Sequence, residues 1–137
     1  MRTIKLGKQT LAKWDAEKRD DGVFLVIPEI HPSVNVWKDW HWAKRDRYLR
    51  ELTENITWLV LAKKLPLTRK ATVEITYFFP DRRRRDTNNY TPKFLLDALV
   101  YAGLILDDNA KEIRQPEPRF EIGGEYFRTE VLIKGAK

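Results

Sequence analysis

Cysteine is absent from the 137 residues, which excludes disulfides and thiolate metal sites. Histidine is nearly absent. His31 and His41 have no third partner, so both read as surface or loop residues rather than metal ligands. No apolar run approaches the ~20 residues needed to cross a bilayer. The start, Met1 to Lys8, lacks the apolar stretch of a secretory signal. There is no internal repeat and no low-complexity linker. Together these absences fit a cytoplasmic protein with no membrane partner.

What is present suits one domain over residues 1–137, with 42% apolar residues to build a core. Lys and Arg number 26 against 20 acidic residues, a net charge of +6, and the pI is near 9.6. Such a balance favours polyanionic partners. The charge is clustered. Between Lys38 and Arg50, the basic residues Lys38, Lys44, Arg45, Arg47 and Arg50 face only Asp39 and Asp46. Arg82, Arg83, Arg84 and Arg85 form a second cluster.

The pattern predicts an α+β fold in which two main helices pack on a mixed sheet, ordered strand–helix–strand–helix–strand–strand. Ile4 and Leu6 can begin a strand, and Leu11 to Arg19 can form a short helix. Gly22 to Pro28 is a β-rich run closed by proline, and His31 to Asn35 has loop chemistry. From Trp37 to Lys64 the spacing of Leu49, Leu52, Ile56 and Leu59 marks a helix with one buried stripe, ended by Pro66. Ala71 to Phe79 alternates as a half-buried strand. Thr91-Pro92 can cap and start a second helix, apolar nearly all round, that Gly103 ends. Pro118 to Ile122 and Glu125 to Ile133 flank Gly123-Gly124 and read as a hairpin.

The segment Pro80-Asp81-Arg82-Arg83-Arg84-Arg85-Asp86-Thr87-Asn88-Asn89-Tyr90 carries the most chemical information. Arginines can fork onto phosphate oxygens; equally, a run of like charges can be a solvated loop. Asp86 and Asn88 precede the second helix, and Asp107-Asp108 follow it. These oxygen donors suit Mg²⁺ or Mn²⁺, provided the strands flanking that helix are sheet neighbours. The alternative is that they simply make turns. Lys93, with Asp97 one turn later, is either an ordinary helical pair or an ammonium placed over a phosphate. Trp37, Trp40 and Trp42 crowd the basic start of the long helix, where they can pack in the core or an interface or stack on unpaired bases.

These motifs together resemble the RusA family of Holliday junction resolvases, often found in phages and prophages. The family pattern is an Asp-x-Asp-Asn segment, a lysine, an aspartate before Ala-Leu, and an Asp-Asp pair. This chain has Asp86-Thr87-Asn88-Asn89, Lys93, Asp97-Ala98-Leu99 and Asp107-Asp108. The approach Pro80 to Asp86 and the loop Pro32-Ser33-Val34-Asn35 are similar as well. The resemblance is dense over residues 80–108 and diffuse elsewhere.

It implies a homodimeric, Mg²⁺-dependent endodeoxyribonuclease that cuts four-way DNA junctions in recombination and repair. By the same resemblance, Asp86 and Asp108 match metal-binding carboxylates and Lys93 matches the essential lysine. Asp107 and Asn88 stand beside that ion, and Arg82 to Arg85 with Lys44 and Arg45 hold DNA. One departure stands out. Asn88 occupies the position of a catalytic aspartate. Its amide offers a carbonyl oxygen but neither the charge nor the proton-accepting capacity of a carboxylate. Reduced cleavage, compensation by Asp107 or Asp81, and a junction binder without cleavage are all consistent with that exchange.

Overall fold

Alternation along Ala71–Phe79 sets the frame of the molecule. Ala71, Val73, Ile75, Tyr77 and Phe79 are buried while the residues between them are half-exposed, as in a strand covered on one face only. A computed structural model describes residues 14–135 and places this strand, β3, inside a six-stranded mixed sheet. The elements run β1 (Asp15–Arg19), β2 (Gly22–Ile27), α1 (Val34–Trp37), α2 (Trp42–Lys63), β3 (Ala71–Phe79), a 3₁₀ turn (Thr87–Asn89), α3 (Lys93–Tyr101), β4 (Ile113–Arg114), β5 (Arg119–Ile122) and β6 (Arg128–Lys134). The fold is therefore α+β, with a mixed sheet and, among the described residues, three α-helices.

Strand order is β1-β2-β6-β3-β4, and β5 also pairs with β3. The pairs β1–β2, β2–β6 and β3–β6 are antiparallel; β4 and β5 run parallel to β3. One core lies between the sheet and the helices. The sheet supplies Val23, Leu25, Val73, Ile75, Val131 and Ile133; the helices supply Leu52, Ile56, Leu59, Phe94, Leu95 and Leu99. Gly22 is required where β2 meets β6. A Cβ there would sit 1.7 Å from the Ile133 carbonyl oxygen.

Several elements differ from the sequence expectation. The segment ending at Arg19 is a strand at its described end, not a helix. Trp14 and Ala16 are buried while Asp15 and Glu17 are exposed, a period of two that the charged composition masks. The proposed strand at Ile4 and Leu6 lies outside the described residues.

The long helix begins at Trp42 rather than Trp37. A separate short helix, α1, follows Ser33, because Trp37 and Trp40 both turn inward onto Phe94, at 5.4 and 6.5 Å between ring centroids. Pro92, not Thr91, occupies the cap position of α3, without a side-chain cap bond. Gly103 ends that helix at φ 82°, as its position implies.

The terminal hairpin does not form. β5 lies along one edge of β3 and β6 along the other. The glycine-containing connection instead crosses the end of β3, where the Gly123 amide donates to the Phe79 carbonyl at 2.9 Å. Local turn chemistry cannot tell these outcomes apart, since both need glycine between two alternating strands. Among the described residues no helix is long and apolar enough to cross a membrane.

Candidate functional site

The arginine loop leaves β3 at Phe79, and its four guanidinium groups have different surroundings. Arg85 is a brace. Its side chain is only 14% exposed and donates to the Asp81 carboxylate at 2.7 Å and to the carbonyls of Asp81 and Arg83 at 3.2 and 2.9 Å. The same guanidinium stacks 4.1 Å above the Phe79 ring. The Asp81 carboxylate accepts from the Arg83 backbone amide and from Arg85, and these bonds hold its pKa below the usual range.

Arg82, Arg83 and Arg84 are exposed. Among the described residues no hydrogen bond or ion pair fixes their guanidinium groups. Of the four arginines expected to hold DNA, three are thus presented to solvent and one folds the loop that presents them.

Asp86 and Asn88 are exposed on the far limb of this loop. Asp86 Oδ1 accepts the Asn88 amide at 3.0 Å and caps the 3₁₀ turn, a local turn bond of the ordinary Asx kind. The turn leads through Tyr90 into α3. There the exposed Lys93 ammonium (62%) lies 4.0 Å from Asp97 Oδ2, which is 30% exposed. Burial raises the Asp97 pKa; Lys93 opposes that rise and the negative charge of Asp108 adds to it. Asp108 therefore acts on Asp97 although it follows the end of the helix. Leu104 and Ile105, both buried, anchor the chain as it turns back. Asp107 Oδ1 in turn accepts the Asp108 amide at 2.7 Å.

The topological condition for convergence is met: the strands flanking α3 are neighbours, with β4 and β5 both paired to β3. Asp86 follows the end of β3, and Asp107 and Asp108 lie in the connection that leads to β4, which pairs with Ala71 and Thr72 at the start of β3. Lys93 and Asp97 lie together, and the charge of Asp108 reaches Asp97. Among the described residues no group of three or more histidine, aspartate or glutamate side chains is arranged to hold one metal ion. The donor chemistry itself, all oxygen and all exposed at Asp86, Asn88, Asp107 and Asp108, fits a hard divalent cation.

The basic start of α2 adjoins this region through Phe94, which packs on Trp37, Trp40 and Tyr48. Lys44 is exposed and lies 4.5 Å over the Trp40 ring. Arg45 instead stacks on Trp37 at 5.0 Å and donates to the Lys38 carbonyl at 3.0 Å, closing the junction between α1 and α2. Trp42 stays 72% exposed. The three tryptophans thus divide into two packing residues and one surface residue.

His31 lies in the loop between β2 and α1, as one of the two expectations had it, but it is buried rather than at the surface. Its Nδ1 lies 3.0 Å from the Pro32 carbonyl and its Nε2 2.5 Å from the Tyr77 hydroxyl. The carbonyl can only accept, so Nδ1 carries the proton and Nε2 accepts from Tyr77. Burial lowers the His31 pKa and favours that neutral ring. Nearby, Glu29 accepts from the Tyr48 hydroxyl at 3.3 Å, and burial raises its pKa. Sequence reasoning missed Glu29, Tyr48 and Tyr77. The only local hint was a charged and a titratable residue set among prolines directly after a buried strand.

No protein-family model matches this chain, and no curated protein matches it.

Proposed function

We propose that this chain is a RusA-like endonuclease acting on branched DNA, above all four-way junctions, in recombination and repair. The observation that carries the reading is one of position. Three untethered arginines, Arg82 to Arg84, lie on the loop leading into α3, and that helix opens with an exposed ammonium 4.0 Å from the Asp97 carboxylate, which also feels the charge of Asp108. The sequence motifs over residues 80–108 support the same reading.

Each residue then has a task. Arg82, Arg83 and Arg84, with Lys44, engage backbone phosphates and orient the strand. Arg85 holds the loop in shape. Lys93 neutralises charge developing on the phosphodiester, and Asp97, half-buried beneath it, positions the ammonium. Asp86, Asn88 and Asp108, with Asp107 alongside, are the residues that would hold Mg²⁺ or Mn²⁺. When bound, such an ion supplies Lewis-acid polarisation and a more acidic water. A homodimer belongs to the proposal, because a two-fold junction is matched by a two-fold protein.

The test incubates a labelled four-way junction and its linear duplex counterpart with and without Mg²⁺. Paired nicks in the junction alone, only with Mg²⁺, are the expected outcome. A second reading rests on Asn88, which stands where the resembled pattern has an aspartate: a junction binder that leaves its DNA intact. It requires salt-dependent junction binding without nicks at any Mg²⁺ concentration. Binding no tighter to junction than to duplex sinks both.

A further inference from the structure

The most exposed large apolar side chains among the described residues are Trp42, Tyr101 and Leu61, at 72, 70 and 67%. They lie on or beside the outward side of α2, the helix whose Leu52, Ile56 and Leu59 are buried. A groove of about 430 Å³ opens there, and Leu61 and Tyr101 both line it. Single exposed apolar residues are ordinary, but a contiguous patch marks a contact surface.

The helical period sorts the α2 lining of this groove into two neighbouring rows, each stepping by four residues. Asp46, Arg50, Glu54 and Trp58 make one row, a ridge whose members are all exposed. Leu49, Thr53, Thr57 and Leu61 make the other, and the short, half-buried threonines keep its middle low. Tyr101 of α3 stands beside them. A ridge next to a groove of the same pitch fits a second helix that carries the same two rows. Each ridge then seats in the other's groove, the commonest class of helix packing in globular proteins.

The charges say which helix that is. A two-fold axis across the groove reverses the ridge. It sets position 50 against 54 and position 46 against 58, because both pairs share one midpoint. Arg50 of each copy then meets the Glu54 carboxylate of the other. The Asp46 carboxylate meets the other copy's Trp58, whose indole N–H can donate to it. Arg50 already pairs with Asp46 in its own helix, so it comes to lie between two acids. Parallel stacking of the same faces would instead set Arg50 on Arg50 and Glu54 on Glu54.

We propose that two copies of this chain associate through the outward face of α2, antiparallel, with Arg50 of each paired to Glu54 of the other. The proposal deepens the homodimer of the reading above; it rests on the two-fold part of that reading and not on its chemistry.

Sedimentation equilibrium of the full chain measures the self-association. Arg50→Glu alone sets acid against acid across the axis, and Glu54→Arg alone sets base against base. Each variant, checked for native circular dichroism, should weaken self-association by about tenfold or more, as juxtaposed like charges do. Mixed in equal amounts, the two variants complement each other at both contacts. The mixture should therefore associate within about threefold of wild type. Leu61→Ser, at an exposed position, removes apolar contact without touching charge and should weaken association as well.

A wild-type chain that stays monomeric overturns the interface and the two-fold part of the reading, while nicking of the labelled junction is judged separately. A dimer that the variants leave intact is built on another face, which overturns this surface and leaves the homodimer standing. Charge variants that weaken association but do not recover on mixing show no pairing between copies and overturn the proposal.

Discussion

Glu29 and His31 sit on one short connection between β2 and α1, and burial shifts their protonation in opposite directions. For Glu29 the folded pKa is raised, so the folded state holds a proton that the unfolded chain releases. Stability from this group is full below the ordinary value of 4.5 and is lost as pH rises through the folded pKa. Glu29→Gln keeps an acceptor for Tyr48 and removes the titration. Its urea-unfolding stability should therefore lack the decline that wild type shows on rising from pH 4.5. For His31 the folded pKa is lowered, so stability is present above 6.5 and is lost as pH falls through the folded value. Tyr77→Phe leaves the buried Nε2 without its donor. The expected loss is about 1–3 kcal/mol in urea denaturation, typical of an orphaned buried acceptor. None of this was legible beforehand, because a histidine between an isoleucine and a proline gives no sign of the tyrosine that another strand will bring to it.

Among the elements, the arginine loop shows where local sequence stops being informative. Four identical side chains in a row offer no basis for choosing among them. The choice is made by Phe79, whose ring stacks with Arg85, and by Asp81, whose spacing pairs it with Arg85. Arg84→Gln and Arg85→Gln should therefore behave differently. The first should weaken DNA binding and lower the slope of log K against log salt by about 0.9 for each phosphate contact removed. The second should lower amide-exchange protection across residues 81–86, and the stability of the loop by roughly 1 kcal/mol as the cation–π contact is lost.

Longer-period patterns were readable by contrast. The alternation of β3 and, of the expected stripe of α2, Leu52, Ile56 and Leu59 are buried where the periodicity places them, while Leu49 is half-buried against the same core. Burial of a repeating face is a property of the element itself. Pairing of β5 and β6 is not, since it depends on which edge of β3 is vacant, and that is how a hairpin was expected where two parted strands stand.

For the molecule as a whole, the proposed chemistry turns on whether two acidic stretches cooperate across α3. Asn88→Asp adds a carboxylate to the Asp86 side. If that limb shares an ion with Asp108, Mg²⁺ affinity by calorimetry should rise about tenfold, or about 1.4 kcal/mol, and junction cleavage should rise with it. Unchanged affinity removes Asn88 from the neighbourhood of the ion. The motif residues could be named from the sequence, but the pairing of β4 with the first residues of β3, which fixes where the later acidic pair re-enters the sheet, could not.

The position of β6 has its own consequence for how the protein is made. Of the described strands, Arg128–Lys134 is synthesised after all the others, and it is the one that sits between β2 and β3 and hydrogen-bonds to both. Until it emerges from the ribosome, the halves of the sheet have no edge in common. The nascent chain must carry two separate sets of open strand edges until β6 is made, a period during which a chaperone that shields β-edges would matter most.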